Sequence, residues 1–233
     1  MSPGRRGPAE RRRLALFDLD GTLLVGDTDE LWCEFLVGEG LIDPAYRDAN
    51  QAVDAAYATG SIAAEDYCRF YCGLLAGHGD DWLPRRRDFV ERVTQPRLAP
   101  RAHALVDAHR AAGDRLVLTT ATNRFLAEAV AESFGFAEVI ATEPERGTDG
   151  LFTGRLVGMA NMREGKVHRF HAWAAAQGLD PIAALAGASF YSDSANDLSL
   201  LLAVARPVAV DPEPRLAAEA SSRGWAVLSL RGA

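Results

Sequence analysis

Short apolar runs that stop at glycine- or aspartate-rich turns recur along this chain, separated by stretches with helical spacing. The first run, Leu14–Asp18, is apolar through Leu-Ala-Leu-Phe and ends abruptly in Asp-Leu-Asp-Gly-Thr, the pattern of a strand buried on both faces of a parallel sheet. From Asp27 to Gln95 the texture changes. Leu31, Trp32, Phe35 and Leu36 repeat at helical spacing, as do Tyr67, Phe70, Tyr71, Leu74 and Leu75, and β-branched runs are few. This block reads as about four helices with no strand.

After Pro96 strands and helices alternate. Ala102–Ala112 reads as a helix closed by Gly113, Leu116–Thr119 as a strand, Phe125–Phe134 as a helix closed by Gly135, and Val139–Ala141 as a strand. Gly150–Leu156 reads as a small hairpin with Asp149-Gly150 as its turn signal. Helix Glu164–Gln177, strand Ala188–Tyr191 and helix Asp197–Ala203 follow, and strands Pro207–Val210 and Ala226–Leu230 flank helix Arg215–Arg223. Strands alternating with helices of about ten residues imply right-handed βαβ units. The expected fold is therefore α/β, a doubly wound, Rossmann-like, mostly parallel sheet with an inserted all-helical cap. Its expected divisions are a basic tail over 1–13, a catalytic core over 14–26 and 96–233, and the cap over 27–95. Such sheets bind ligands beyond the carboxyl ends of their strands, which is where the chemically interesting residues fall.

Composition narrows the function classes. A net charge of −7 over 233 residues disfavours nucleic-acid and acidic-membrane partners, which select basic surfaces. No apolar run reaches the ~20 residues that span a bilayer. No apolar core follows the arginines at 5, 6, 11, 12 and 13 before the first strand, so the tail reads as solvated and untargeted rather than as a secretory signal. Three cysteines, Cys33, Cys68 and Cys72, in no framework spacing suit a reducing cytoplasm and read as small buried hydrophobes.

Four segments carry candidate chemistry. Asp18 and Asp20 close the first strand, and two carboxylates this close need a cation or a shared proton to offset their repulsion. Mg²⁺ answers that need with oxygen ligands, leaving one carboxylate to attack phosphorus and the other to move a proton. Gly21 permits the bend and Thr22 offers a hydroxyl to hold it; a plain helix cap or turn explains the same residues. Thr119, Thr120 and Thr122 precede a helix, where hydroxyls and backbone N–H groups make an anion site; Thr122 or Asn123 as an N-cap is the competing explanation. Lys166 stands at a helix start, the end where the dipole disfavours a cation, and this implies an anion nearby. Asp193, Asn196 and Asp197 follow an apolar strand and read as a second set of oxygen ligands, with Asp197 also a candidate helix cap.

Taken in order, these segments resemble the haloacid dehalogenase superfamily, specifically its phosphoserine-phosphatase-like branch. Asp18–Thr22 matches the first motif, Thr120 the hydroxyl of the second, Lys166 the lysine of the third, and Asp193 with Asp197 the acidic fourth. The resemblance implies a Mg²⁺-dependent phosphatase acting on a small phosphorylated metabolite through an aspartyl-phosphate on Asp18. Asp20 would serve as general acid and base; Thr120, Ala121 and Lys166 would hold phosphoryl oxygens; Asp18, Asp20 (through its carbonyl) and Asp193 would bind the metal. Gly21, Thr22, Asn196 and Asp197 would support the site. An acid at the place of Asp27 faces the substrate amine in similar phosphoserine phosphatases, although acids in a first helical turn, here Asp29 and Glu30 as well, are expected in any case. Phosphoserine also needs a cation for its carboxylate; Arg47, Arg69 and Arg85-Arg86-Arg87 are the cap candidates, and none is an unambiguous match. Histidinol phosphate, an amine without a carboxylate, needs no such arginine, so both substrates stay open. The alternative activity is a phosphotransferase or mutase passing the same phosphoryl group to another hydroxyl.

Overall fold

The structure, a computed structural model, describes residues 13–232. The predicted basic tail therefore lies outside the described residues except for Arg13, whose Nε donates to Asp114 Oδ1 at 3.1 Å. Six strands, β1 (Leu14–Phe17), β2 (Arg115–Asn123), β3 (Val139–Thr142), β6 (Ser189–Ser192), β7 (Arg206–Val210) and β8 (Ala226–Leu228), form one parallel sheet in the order β3-β2-β1-β6-β7-β8. The doubly wound expectation holds, because all six runs read as strands pair in that sheet. The chain moves outward from β1 to β3, then crosses back to β6 on the other side of β1, so the switch point lies between β1 and β6.

Alternation along β1 builds a core on both faces. Leu14 and Leu16 join Val117, Phe170, Phe190 and Leu200 on one side. Ala15 and Phe17 join Val106, Leu118, Val130 and Tyr191 on the other, as the period of two requires. Helices α5 (Ala102–Ala111) and α6 (Arg124–Ser133) cover the second face, while α7 (Glu164–Ala176), α9 (Leu198–Ala203) and α10 (Pro214–Arg223) cover the first. A short helix that the pattern does not predict, α8 (Pro181–Leu185), is capped by Asp180, which accepts from Ile182 N and Ala183 N.

Between β1 and α5 lie α1 (Thr28–Gly38), α2 (Tyr46–Ala58), α3 (Ala64–Gly73) and α4 (Leu83–Phe89), the expected helical cap, extended by 3-10 and π turns. Trp32, Tyr67, Tyr71 and Phe89 centre its own hydrophobic cluster, which also takes in Phe125, Leu126 and Phe152. All three cysteines are buried, and burial pushes the Cys68 thiol up to about 12.

Two boundaries differ from the pattern. The hairpin is longer than Gly150–Leu156: β4 (Pro144–Arg146) pairs with β5 (Phe152–Leu156), and Asp149-Gly150 is indeed the turn between them. It docks on the cap, with Phe152 N donating to His78 O at 2.7 Å and Gly77 N to Phe152 O at 2.8 Å. Strand β2 runs to Asn123 rather than Thr119, because the register with β3 jumps from Thr119↔Ile140 to Asn123↔Thr142 and the strand resumes after a bulge. Among the described residues no helix is long and apolar enough to cross a membrane.

Candidate active site

Asp18 is the first residue beyond β1, held in line by its N–H donating to Tyr191 O at 2.9 Å. Its carboxylate meets Lys166, whose Nζ donates to Asp18 Oδ1 at 2.7 Å and to Asp197 Oδ2 at 2.6 Å. Ser192 Oγ donates to the same Asp197 oxygen at 2.8 Å. Lys166 is only 3% exposed, so this ammonium is a buried charge and persists because two carboxylates face it. Burial alone would lower its pKa, but Asp18 and Asp197 outweigh that and hold it above its ordinary value. Burial lifts Asp18 well above the carboxylate range; Lys166 pulls it back, while Asp197 and Asp193 push it further up.

Asp20 is held at both oxygens. Oδ1 accepts from Thr28 N at 2.8 Å and from the Thr28 hydroxyl; Oδ2 accepts from the Thr122 hydroxyl and, at 3.4 Å, from Thr120 Oγ1. Burial raises its pKa and these hydroxyls and the amide oppose the rise. Between the acids and the rest of the turn stands Gly21, at φ +73°, where an added Cβ would sit 2.0 Å from Asp193 Oδ2. Glycine is required twice over, for the dihedral and for the close approach of Asp193. Thr22 does more than hold the bend: its hydroxyl donates to Asp193 Oδ1 at 3.1 Å. Burial first, then Asp197, pushes Asp193 up to about 7.

Asp193 and Asp197 do not act as one pair. Asp197 turns to Lys166 and caps nothing with its side chain, whereas Asp193 faces the first turn. Of the two N-cap candidates before α6, Asn123 is the cap, accepting from Leu126 N at 3.1 Å, and Thr122 serves Asp20 instead. Thr28, Ser192 and Glu213, which accepts from Ala195 N at 2.8 Å, are supports that spacing did not reveal. Thr28 alone left a signal, as the first residue of a helix next to Asp27.

These groups open into a cavity of about 770 Å³ that also exposes Ala121 and Asn196. Asp27 lines it and caps α1 at the same time, its Oδ1 accepting from Asp29 N and Glu30 N at 2.9 and 3.0 Å. Its side chain is therefore a helix cap that also borders the cavity. Glu30, Asp54, Tyr57 and Tyr67 continue the cap side of the cavity. Burial, then Asp20, Asp29 and Glu30, holds Asp27 well above the usual carboxylate range. Asp29 is buried away from the cavity and accepts from Asn123 Nδ2 at 2.6 Å, tying the cap's first helix to the start of α6.

The cap arginines do not line the cavity. Arg47 pairs with Glu34, Arg69 with Asp66, and Arg86 donates to Phe125 O, while Arg85 and Arg87 are exposed. The guanidinium groups on the cavity come from the core instead: Arg163, Arg215 and Arg231. Arg163 reaches across to the cap, its Nε donating to Tyr57 Oη at 3.1 Å with Cζ 4.9 Å from that ring.

A capped, doubly wound sheet with aspartates and a lysine converging at its switch point defines a hydrolase core of a known kind. Residues 15–202 match the haloacid dehalogenase-like hydrolases, and the chain belongs to that family. It is 36% identical over 222 residues to a histidinol-phosphatase of Neisseria meningitidis, covering 94% of this chain and 100% of the relative. A phosphoserine phosphatase of Mycobacterium tuberculosis, SerB1, is 28% identical over 237 residues, 97% of this chain and 74% of that one. A Bordetella pertussis protein of unknown function superposes with a TM-score of 0.88 at 44% identity, over 94% of this chain and 99% of its own.

The cap acids give the fold a pH signature. Burial first, then Asp54, lifts Glu30 from 4.5 to about 7. Between those values the folded chain holds a proton that the unfolded chain has lost, so this contribution to stability is present at low pH and disappears as pH rises. Glu30→Gln is expected to gain Tm over the wild type progressively from about pH 4.5 to 7, measured by thermal unfolding in a buffer series. A Tm difference that stays constant across the series would contradict it.

Proposed function

We propose that this chain is a Mg²⁺-dependent phosphatase that hydrolyses histidinol phosphate, or a small amine-bearing phosphomonoester like it, through an aspartyl-phosphate on Asp18. The observation that carries the reading is the cluster of Asp18, Asp20, Asp193 and Asp197 around the one ammonium of Lys166. Asp18 and Asp197 are buried, Asp20 and Asp193 are partly exposed, and together these acids outnumber the ammonium between them, an excess that a divalent cation would offset. The donors fit magnesium, which takes one or two carboxylates and fills its shell with water and phosphate oxygens. Asp18, Asp193 and the Asp20 carbonyl would hold the ion, which supplies charge neutralisation to the transferring phosphoryl group.

The protein's own groups account for the remaining chemistry. The Asp18 carboxylate attacks phosphorus as the P–O bond to the leaving alcohol breaks. Thr120 Oγ, the Ala121 N–H and Lys166 Nζ bind the phosphoryl oxygens and hold them in line. Asp20 delivers a proton to the leaving oxygen, then takes one from water as that water attacks phosphorus and frees Asp18 with inorganic phosphate. The threonines around Asp20 fix its orientation, and burial keeps its proton affinity high enough to act as an acid.

On the cap side, Asp27, Glu30 and Asp54 favour a cationic substrate, and Tyr57 and Tyr67 offer aromatic walls. Histidinol phosphate carries an ammonium and an imidazole and no carboxylate. Its fit agrees with the absence of cap arginines from the cavity and with the likeness to the Neisseria enzyme. Phosphoserine would have to use one of the core arginines on the cavity, Arg163, Arg215 or Arg231, for its carboxylate.

Asp18→Asn is expected to abolish turnover, and chelation by EDTA to abolish wild-type turnover reversibly, both read from phosphate release. Near wild-type rates for the variant would remove Asp18 as nucleophile, and full activity after exhaustive chelation would remove the metal.

Asp20→Asn should still form the phosphoenzyme but release it slowly, so labelled phosphate accumulates on the protein. Unchanged steady-state turnover in this variant would refute the proton-transfer role.

Steady-state kinetics on histidinol phosphate, phosphoserine, glycerol phosphate and a sugar phosphate test the substrate. Histidinol phosphate should have the highest kcat/KM, and Asp27→Ala should lower it roughly ten- to a hundredfold more than it lowers that for an aryl phosphate. A clear preference for the sugar or glycerol ester would leave Asp27 as a helix cap and nothing more.

A further inference from the structure

The segment from Ala160 to Lys166 is built under constraint at three points. A Cβ on Gly165 would lie 2.0 Å from Ala160 O, so only glycine lets the turn close. Arg163 has φ 54° and ψ −126°, a combination normally left to glycine, and its carbonyl accepts from Ser199 Oγ at 3.0 Å. Asn161 is fully buried, and its side-chain amide donates from Nδ2 to Thr120 O at 2.9 Å, Ile140 O at 2.9 Å and Thr119 Oγ1 at 3.1 Å. Its backbone N–H donates to Thr142 Oγ1 at 3.0 Å.

The bulge in β2 explains what this amide does. Three residues, Thr120, Ala121 and Thr122, lie between the last regular pair, Thr119↔Ile140, and the resumed pair, Asn123↔Thr142. Strand-to-strand pairing is interrupted there, and the amide of Asn161 supplies donors to the carbonyls of Thr120 and Ile140 on the two separated strands. Its Oδ1 is buried without a partner among the described residues, an uncompensated cost. Flipping the amide would set that oxygen against two carbonyl oxygens, so the orientation is fixed by its donors.

We infer that Asn161 is a positioning residue of the phosphate subsite. It holds the Thr120–Thr122 bulge at a fixed separation from Lys166, which the same turn carries five residues further on. The inference rests on the proposed phosphatase reading and adds that a single turn sets both arms of the phosphate cradle. Without the amide, two buried carbonyls repel or draw in water, and the Ala121 N–H and Thr120 hydroxyl drift from the phosphoryl position. Lys166 stays on Asp18 and Asp197 regardless, so the loss falls on phosphate affinity rather than on the ammonium.

The test is calorimetric titration of the full chain, loaded with Mg²⁺, with inorganic phosphate. Asn161→Ala is expected to weaken binding roughly tenfold or more. Ile140→Val, which removes a methylene beside the same carbonyl and keeps every bond of the amide, should lower Tm and leave phosphate affinity within about twofold. If Asn161→Ala does not fold, Asn161→Ser, with one donor left, is held to a loss intermediate between wild type and tenfold. Wild-type affinity in the Asn161 variant would overturn the inference. So would an equal loss in Ile140→Val, which would make the effect one of general destabilisation. A wild-type chain that binds no phosphate with Mg²⁺ would bring down the phosphatase reading itself, an outcome distinct from either.

Discussion

The ammonium of Lys166 between Asp18 and Asp197 is the interaction on which the site depends. An isolated ammonium or carboxylate at this depth costs several kcal/mol in desolvation, so neither partner persists there alone. A buried pair of this kind contributes little net stability, yet removing one partner costs about 3–5 kcal/mol because the other is left uncompensated. Its value is therefore positional. It joins the end of β1, the first turn of α7 and the turn after β6 into one body, with Ser192 fixing the orientation of Asp197. Among the described residues Asp20 and Asp193 are held by hydroxyls and an amide rather than by a base, and under the proposed function that excess of acid is what a cation and its phosphate would offset.

The sheet topology decides why these groups can meet. Because β1 lies between β2 and β6, the chain leaves its carboxyl end in one direction and returns on the other side, opening a crevice beyond the strand ends. Gly21 lets the first turn pass within contact of Asp193, and the bulge in β2 turns Thr120 and Thr122 out of the ladder toward Asp20. The cap closes the crevice through side chains of unlike origin. Asp29 ties α1 to Asn123, Arg163 reaches from the core to Tyr57, and the β4–β5 hairpin adds Phe152 to the cap cluster. The cap is consequently anchored to the turns that carry Asn123 and Arg163 rather than simply resting on the core.

Much of this was legible in the order of residues. The apolar runs placed all six sheet strands, and the paired acids at the end of the first strand, the threonines, the helix-start lysine and the acidic turn marked the site in sequence. Those signals are local: a run buried on both faces must be apolar throughout, and an acid pair or a lysine at the wrong end of a helix dipole is unfavourable without a partner. Local chemistry therefore announced that partners exist. It did not name them.

Tertiary structure alone decided the partners. Lys166 and Asp18 are 148 residues apart, and nothing in either neighbourhood encodes that they meet at 2.7 Å. Thr22 could equally have braced its own turn, yet it holds Asp193, and Thr122 serves Asp20 while Asn123 takes the cap. The arginines of the cap looked like candidates because composition carries no direction; their guanidinium groups turn to Glu34, Asp66 and Phe125, and the core's Arg163 takes the cavity. Asn161 gave no signal, since a single asparagine in a loop resembles any turn former. What the sequence determined by itself was each element and the kind of group at its end, because backbone propensity and burial act over a few residues. Which groups came to face one another followed from how the strands were ordered and where β2 bulged, and those are properties of the assembled sheet.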